Sequence, residues 1–198
     1  IQPRAALHEI SRAKEELKSP EEYAAHAAGY VERLVKEIYP AYQKALAKAN
    51  ALDFDDILTQ SVRLLERDER TREQLQEKFL HVLIDEYQDV NFAQYRWAQL
   101  ISDKHRNITI VGDDDQSIYA WRGADVSLML RFSSDHTDAK VVTLGQNYRC
   151  TKNILTAATD VIEHNPGRSP KNLFTENEPG NPVTITEAGT EQEEAILV

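Results

Sequence analysis

Two short apolar runs that each end in acidic residues constrain the fold of this 198-residue chain more than any other feature. The first covers residues 81–85 and leads into Glu86, and the second covers residues 108–111 and leads into Gly112 and three aspartates. Runs of this length and composition predict strands that are buried on both faces of a parallel sheet. Because a predicted helix over residues 92–104 separates them, the pattern indicates an α/β fold, whose ligand sites lie at the carboxyl ends of its strands.

Helices are predicted both before and after the two strands along the sequence. Ser19 begins a helix whose apolar residues recur every three or four positions as far as Ile38, and Pro40 is expected to break or kink it. Asp53 is a predicted N-cap for a helix that ends near Glu66. Further predicted elements are a helix over residues 71–79, a strand over 141–144, a helix over 151–164, a strand over 183–186 and a helix over 190–198.

The acid pair Asp85 and Glu86 directly follows the first predicted strand. This is the layout of a Walker B site, in which Asp85 would hold Mg²⁺ through its water shell and Glu86 would orient and deprotonate an attacking water. A single carboxylate is enough for Asp85, because protein-bound Mg²⁺ keeps several waters. The alternative is that these acids only cap the helix that follows.

A second cluster, residues 112–124, combines a glycine, three acids, a glutamine and two aromatic residues beside an arginine. Gln116 can donate and accept hydrogen bonds, so it could contact a terminal phosphate. Tyr119 and Trp121 offer ring faces on which nucleic-acid bases stack. The alternative is a turn whose aromatic residues pack into the core.

Composition limits the partners and the compartment. The formal net charge of −10 argues against binding by bulk phosphate attraction, so any nucleic-acid contact must use local groups and stacking. Cys150 is the single cysteine, which excludes an internal disulfide and fits a reducing cytoplasm. The six histidines have no metal-site spacing. With no apolar run near ~18 residues and no signal segment, we expect a cytoplasmic protein without membrane contact.

Three ordered segments carry a resemblance to a known family. Residues 85–89, residues 112–124 and the sequence Gln146-Asn147-Tyr148-Arg149 resemble motifs II, III and IV of the UvrD/PcrA/Rep-type superfamily 1 DNA helicases. The similarity continues through residues 52–56, 161–165 and 175–177, so it covers essentially the whole chain.

The resemblance implies an α/β fold with a RecA-like parallel sheet of the P-loop NTPase type, an N-terminal helical insertion and the start of a second RecA-like lobe. Residues 1–50 would be the C-terminal part of the helical 1B subdomain. Residues 51–145 would be the C-terminal part of lobe 1A. Residues 146–198 would be the truncated N-terminal part of lobe 2A.

The resemblance also implies a role for each matching side chain. Around ATP, Asp85 would be the Mg²⁺ ligand, Glu86 the catalytic base, Gln116 a γ-phosphate contact and Arg149 an arginine that stabilises charge on the transferred phosphate. On the DNA side, Tyr119 and Trp121 would stack on single-stranded bases, Arg122 would contact either the motif II acids or DNA, and Gln88 and Asp89 would couple the two sites.

By the same resemblance, the parent protein is an ATP- and Mg²⁺-dependent 3′–5′ helicase or translocase on single-stranded DNA and single-strand/duplex junctions, in repair or replication. Repair-protein partners are not identified by the sequence. The chain contains no Gly-x-x-x-x-Gly-Lys-[Ser/Thr] segment, the Walker A loop that cradles phosphates, so we expect that loop upstream and expect this piece to be inactive alone.

Two alternatives remain open from the sequence. One is a non-catalytic DNA-binding or regulatory module that retains motifs II to IV. The other is the helicase subunit of an AddA/RecB-like nuclease complex. Gly145 and Cys150 depart from the usual motif IV pattern of an acid and Ser or Thr, and we expect this to change only local backbone freedom.

Overall fold

The structure is a computed structural model that describes residues 1–198, and the chain divides into two compact units, residues 1–137 and 138–198. The first unit contains, in chain order, α1 (Pro3–Glu15), α2 (Pro20–His26), α3 (Tyr30–Lys48), α4 (Phe54–Arg67), α5 (Glu69–Lys78), β1 (Val82–Ile84), α6 (Phe92–Ser102), β2 (Ile108–Ile110), α7 (Ser127–Leu130) and α8 (Phe132–Asp135). The second unit contains α9 (Lys152–Ile162) and α10 (Glu191–Leu197). None of these helices combines the length and the apolar character that crossing a membrane requires.

Local capping explains why several helices begin where the sequence predicts. The Ser19 side chain accepts a hydrogen bond from the Glu22 backbone while the Glu22 carboxylate accepts one from the Ser19 backbone, so the two residues form a capping box. Asp53 caps α4 through the backbone N–H of Asp56 at 2.7 Å. The helices predicted over residues 71–79, 92–104, 151–164 and 190–198 are also present, with ends that shift by one or two residues.

The single helix predicted from Ser19 to Ile38 is wrong, because two helices cover this range. It is interrupted after His26, because the backbone N–H groups of Ala28 and Gly29 both donate to the Glu32 carboxylate and start a new helix. Of the two outcomes expected at Pro40, a break does not occur, since α3 continues through the proline to Lys48. The buried residues of α3 lie just before the proline and hold this part of the helix against its neighbours.

The sheet consists of β1 and β2, which pair in parallel with Val82 opposite Ile108 and Ile84 opposite Ile110. One face packs on helices, and the other carries Leu83, which is 76% exposed. The prediction of strands buried on both faces is therefore wrong, because no element of this chain packs over Leu83. The chain thus forms a mixed, mainly helical structure with a small parallel sheet, and the complete RecA-like sheet stays a prediction.

The strands predicted over residues 141–144 and 183–186 do not form. Their apolar side chains are exposed, as Val141, Leu144 and Ile185 show. A strand needs a neighbour with which to exchange backbone hydrogen bonds, and neither segment has one. The second unit instead has one isolated parallel bridge, between Gln146 and Phe174.

Apolar clusters tie the helices of the first unit to the sheet. One cluster joins α4 and α6 to β1 and consists of Val62, Leu65, Leu100 and Ile101, with Val82 packed against it. Another lies where the strands end and consists of Tyr87, Val90, Tyr95 and Leu128, with Ile84 and Ile110 packed against it. The carboxyl ends of β1 and β2 therefore pack against an apolar core.

A buried charge cluster joins α1 to the start of α4. Lys14 is 1% exposed, and its ammonium group contacts Asp53 at 2.5 Å and Asp56 at 2.9 Å. Burial alone raises the pKa of Asp53, but hydrogen bonds from Lys14, from the Asp56 backbone and from the Tyr42 hydroxyl together lower it below its ordinary value. Asp53 is thus both a helix cap and a counter-ion for Lys14.

We expect Lys14→Ala to lower the free energy of unfolding by about 3–5 kcal/mol, because it leaves the buried Asp56 and the partly buried Asp53 without their cation. Urea denaturation followed by circular dichroism measures the change. Lys18→Ala is the control, because Lys18 and its partner Glu16 are both more than 40% exposed and the loss should stay below about 1 kcal/mol. Equal losses in the two variants would contradict a structural role for the buried cluster.

Candidate functional site

The acid pair sits on a tight turn at the carboxyl end of β1. Glu86 adopts the left-handed conformation with φ 51°, and the single 3₁₀ turn Tyr87–Asp89 follows it. A non-glycine residue rarely adopts this conformation, so the surroundings must stabilise it. They do so through the Tyr87 N–H, which donates to the Val111 carbonyl at 2.9 Å, and the Val111 N–H, which donates to the Ile84 carbonyl at 2.8 Å.

Asp85 and Glu86 both present exposed carboxylates at this turn. One oxygen of Asp85 accepts a hydrogen bond from the Glu86 backbone N–H at 2.9 Å, which leaves its other oxygen available. The structure contains no group of three or more His, Cys, Asp and Glu side chains suited to a metal ion. A cation at Asp85 would therefore have to keep most of its waters, which Mg²⁺ does.

Gln88 links the two acidic segments through a chain of hydrogen bonds that we call the Gln88 relay, formed by Glu86, Gln88, Asp113 and Gln116. The buried Gln88 amide donates to the Glu86 carboxylate at 2.8 Å and accepts from the Asp113 backbone N–H at 3.0 Å. The Asp113 carboxylate in turn accepts from the Gln116 side chain at 2.8 Å. Three residues that the sequence singles out, Glu86, Gln88 and Gln116, are thus connected.

Gly112 makes the close approach within the relay possible. A Cβ atom at this position would lie 2.7 Å from the Gln88 side-chain oxygen, 3.1 Å from the Tyr87 backbone nitrogen and 3.2 Å from the Met129 sulfur. Backbone and buried atoms surround the position, so a larger residue has no easy way to fit. The sequence indicates Gly112 only as a flexible residue, whereas the structure gives it a steric role.

Asp89 lies beside the relay, in the same turn. Its backbone N–H donates to the Glu86 carbonyl at 2.9 Å, and one of its carboxylate oxygens is enclosed without a hydrogen-bond partner. An enclosed polar atom without a partner carries a free-energy cost. The coupling role of Asp89 stays a prediction.

The aromatic residues of the second cluster lie on the surface. The ring centroids of Tyr119 and Trp121 are 6.3 Å apart, with planes inclined at 53°. The Arg122 guanidinium lies 5.5 Å from the Tyr119 centroid and 5.4 Å from the Trp121 centroid. Trp121 is 68% exposed, so the alternative of core packing is wrong for this residue. Exposed rings beside a cation can stack on planar ligands.

Arg149 belongs to the second unit, where its side chain is exposed. The Asn147 side chain accepts hydrogen bonds from the backbone N–H groups of Arg149 at 2.9 Å and Cys150 at 2.7 Å, which fixes the turn that carries the arginine. The lack of a side chain at Gly145 has a steric reason, because a Cβ atom there would lie 2.8 Å from the Asn172 carbonyl oxygen.

Sequence reasoning missed two contributors to the site. Asp113 joins Gln88 to Gln116, but the sequence offers three consecutive aspartates and no means of distinguishing them. Glu15 lies against the loop that carries Trp121 and Arg122, and no local pattern predicts a contact with so distant a segment.

Comparison with known proteins identifies relatives of both units. The family model of the UvrD/REP helicase N-terminal domain matches residues 2–137. The family model of the UvrD-like helicase C-terminal domain matches residues 142–198. These matches confirm the resemblance that motifs II, III and IV indicate.

Individual relatives carry the name ATP-dependent DNA helicase PcrA. The Staphylococcus epidermidis protein (strain ATCC 35984) is 46% identical over 198 residues, which is 100% of this chain and 27% of that protein. The Bacillus subtilis protein (strain 168) is 47% identical over 178 residues, 90% of this chain and 24% of that protein. The Staphylococcus aureus protein (strain Mu50) is 44% identical over 198 residues, 100% of this chain and 27% of that protein. The chain thus spans about a quarter of the length of these relatives.

We expect Gly112→Ala to lower the free energy of unfolding by about 1–3 kcal/mol, because the added methyl group must displace Gln88 or the Tyr87 backbone. Denaturant titration checks the value. Ser127→Ala, an exposed change in the neighbouring helix, is the control and should stay within about 0.5 kcal/mol of the parent chain. Wild-type stability in Gly112→Ala would show that the relay does not require the close approach.

Proposed function

The chain belongs to the UvrD/REP helicase family, and we propose that it is one segment of an ATP-dependent DNA helicase motor. The observation that carries this proposal is the Gln88 relay, which connects the acid pair after β1 to Gln116. A motor needs such a connection, because the state of the nucleotide must alter the grip on DNA. The names of the relatives support the same activity.

On the nucleotide side, Glu86 acts as the general base. Its carboxylate accepts the Gln88 amide with one oxygen, so the other oxygen can take a proton from an attacking water. Asp85 supplies an exposed oxygen ligand of the kind that Mg²⁺ prefers. Bound Mg²⁺ would offset the negative charge of the phosphate oxygens. Gln116 contacts the terminal phosphate. For Arg149, which belongs to the second unit, a phosphate contact is proposed from the resemblance alone.

On the DNA side, Tyr119 and Trp121 stack on the bases of a single strand. This role suits a chain with a net charge of −10, because stacking depends on ring faces rather than on bulk charge. Gln116 precedes these rings by only a few residues, so a change in its phosphate contact reaches the rings through one short loop. Gln88 and Asp89 contribute to that coupling from the adjacent turn.

The finer features of the proposed motor rest on the resemblance. They are a RecA-like architecture in two lobes, 3′–5′ movement on single-stranded DNA, action at single-strand/duplex junctions in repair or replication, and a cytoplasmic location. We further propose that the phosphate-binding loop lies in a longer polypeptide that contains this chain. We then expect the 198 residues alone to be inactive as an ATPase, because they contain no Gly-x-x-x-x-Gly-Lys-[Ser/Thr] segment to cradle the β and γ phosphates.

In that full-length polypeptide, we expect Glu86→Gln to reduce DNA-stimulated ATP hydrolysis by about 10²-fold or more and to leave nucleotide binding nearly unchanged. The amide keeps the shape of the side chain but cannot accept the proton. Steady-state turnover and equilibrium binding of a fluorescent ATP analogue measure the two quantities. Glu69→Gln, an exposed change on α5, should leave both unchanged. Near-normal turnover in Glu86→Gln would place the base elsewhere.

We expect Trp121→Ala to weaken binding to single-stranded DNA by roughly 1–3 kcal/mol, because it removes a stacking surface. Fluorescence anisotropy with a labelled oligothymidine strand measures the affinity. Trp97→Ala on α6 is the matched control, since Trp97 is also partly exposed but lies outside the loop. Equal affinities for the parent and Trp121→Ala would exclude the stacking role.

A further inference from the structure

The loop that carries Trp121 and Arg122 rests against the last residue of α1, Glu15. Gly123 ends the loop in the left-handed conformation, with φ 79°, and the Glu15 carboxylate occupies the space into which a Cβ atom of residue 123 would project. Gly123 therefore has two reasons to be glycine, its backbone conformation and its contact with Glu15. The contact joins segments that are far apart in the sequence.

The positive charge of Arg122 favours the ionised form of Glu15. Burial raises the pKa of Glu15 to about 7, and the negative charges of Asp55 and Glu16 act in the same direction, while the positive charge of Arg122 opposes them. Asp55, at the start of α4, accepts a hydrogen bond from the Ser11 hydroxyl at 2.7 Å. Arg122, which favours the ionised form of Glu15, is also the cation that lies over the two aromatic rings.

We propose that Glu15 is a positioning residue for the DNA-stacking loop. Its carboxylate packs against Gly123 and attracts Arg122 to its position over Tyr119 and Trp121. The inference rests on the proposed stacking function of this loop. Glu15 itself needs no contact with DNA, because it acts by ordering the loop before the strand binds. An ordered loop loses less conformational entropy on binding, so the affinity is higher.

The position of Glu15 also attaches the loop to the helical part of the first unit. The residue before it, Lys14, is fixed by the carboxylates of Asp53 and Asp56, so the end of α1 cannot shift without breaking that cluster. The stacking loop thus takes its position from α1 and from the Gln88 relay at the same time. Movement of either support relative to the other would change how the rings are presented.

A protonated Glu15 no longer attracts Arg122, so the affinity for single-stranded DNA should depend on pH. The carboxyl group has a pKa of about 7, raised from its ordinary value, and therefore gains its proton as the pH falls from 8 to 6. Single-strand affinity should decline over that interval by the amount that the charge of Glu15 contributes. If Glu15 acted only through its shape, the affinity for single-stranded DNA would not decline between pH 8 and pH 6.

The test is anisotropy binding of an oligothymidine strand by the full-length polypeptide at several pH values, with Glu15→Gln as the variant. We expect Glu15→Gln to bind roughly three- to tenfold more weakly than the parent at pH 8 and equally at pH 6, with a flatter pH profile. Glu21→Gln, an exposed change in the first turn of α2, should follow the parent, because Glu21 is not among the charges that shift the pKa of Glu15. Unchanged or tighter binding by Glu15→Gln at pH 8 would overturn the proposal, the latter because Glu15 would then compete with DNA phosphate for Arg122.

A second measurement tests the contact without DNA. Thermal unfolding of Gly123→Ala, Glu15→Ala and the double variant forms a cycle in which the two losses should not add, because Glu15→Ala vacates the space that the new methyl group needs. Additive losses would contradict the contact. Failure of the parent itself to bind the oligonucleotide would instead refute the proposed function, and the positioning role would fall with it, while the cycle would still report on the contact.

Discussion

The structure of the proposed site depends on one buried side chain, the amide of Gln88. It lies between the turn after β1 and the loop after β2, and both of its polar ends are used, one by the Glu86 carboxylate and the other by the Asp113 backbone. A buried amide that lost either partner would incur a free-energy cost of about 1–3 kcal/mol, so the two loops resist separate movement. The left-handed turn at Glu86 and the absence of a side chain at Gly112 are the local conditions for this arrangement.

Two supports then meet at the aromatic loop. From the sheet side, the Gln88 relay reaches Gln116, which precedes Tyr119 and Trp121 in the same loop. From the helical side, α1 is fixed by the Lys14 charge cluster and ends at Glu15, against Gly123. A loop held at both ends can convert a small displacement at one support into a reorientation of its rings. This is the property that a coupling between nucleotide state and strand binding requires.

Sequence patterns predicted the features that depend on local interactions. The caps at Ser19 and Asp53 and the acid pair after β1 are of this kind, since each depends on residues within a few positions. Among the features set by distant partners, the parallel pairing of β1 with β2 was predicted correctly, but others were predicted wrongly or not at all. The segment over residues 141–144 is strand-like in composition but has no strand to pair with, and Leu83 is exposed because no element covers it. The choice of Asp113 among three aspartates, and of Glu15 among many glutamates, depends on side-chain directions that only the folded chain defines.

The central claim is that Glu86, held by Gln88, faces a nucleotide phosphate. A crystal structure of the full-length polypeptide with Mg²⁺ and a non-hydrolysable ATP analogue would test it most directly. The account predicts that the free Glu86 oxygen lies about 2.6–3.2 Å from a water aligned with the terminal phosphorus, with the Gln88 amide still bound to the other oxygen. A terminal phosphate bound away from Asp85 and Glu86, with no water between them, would contradict it.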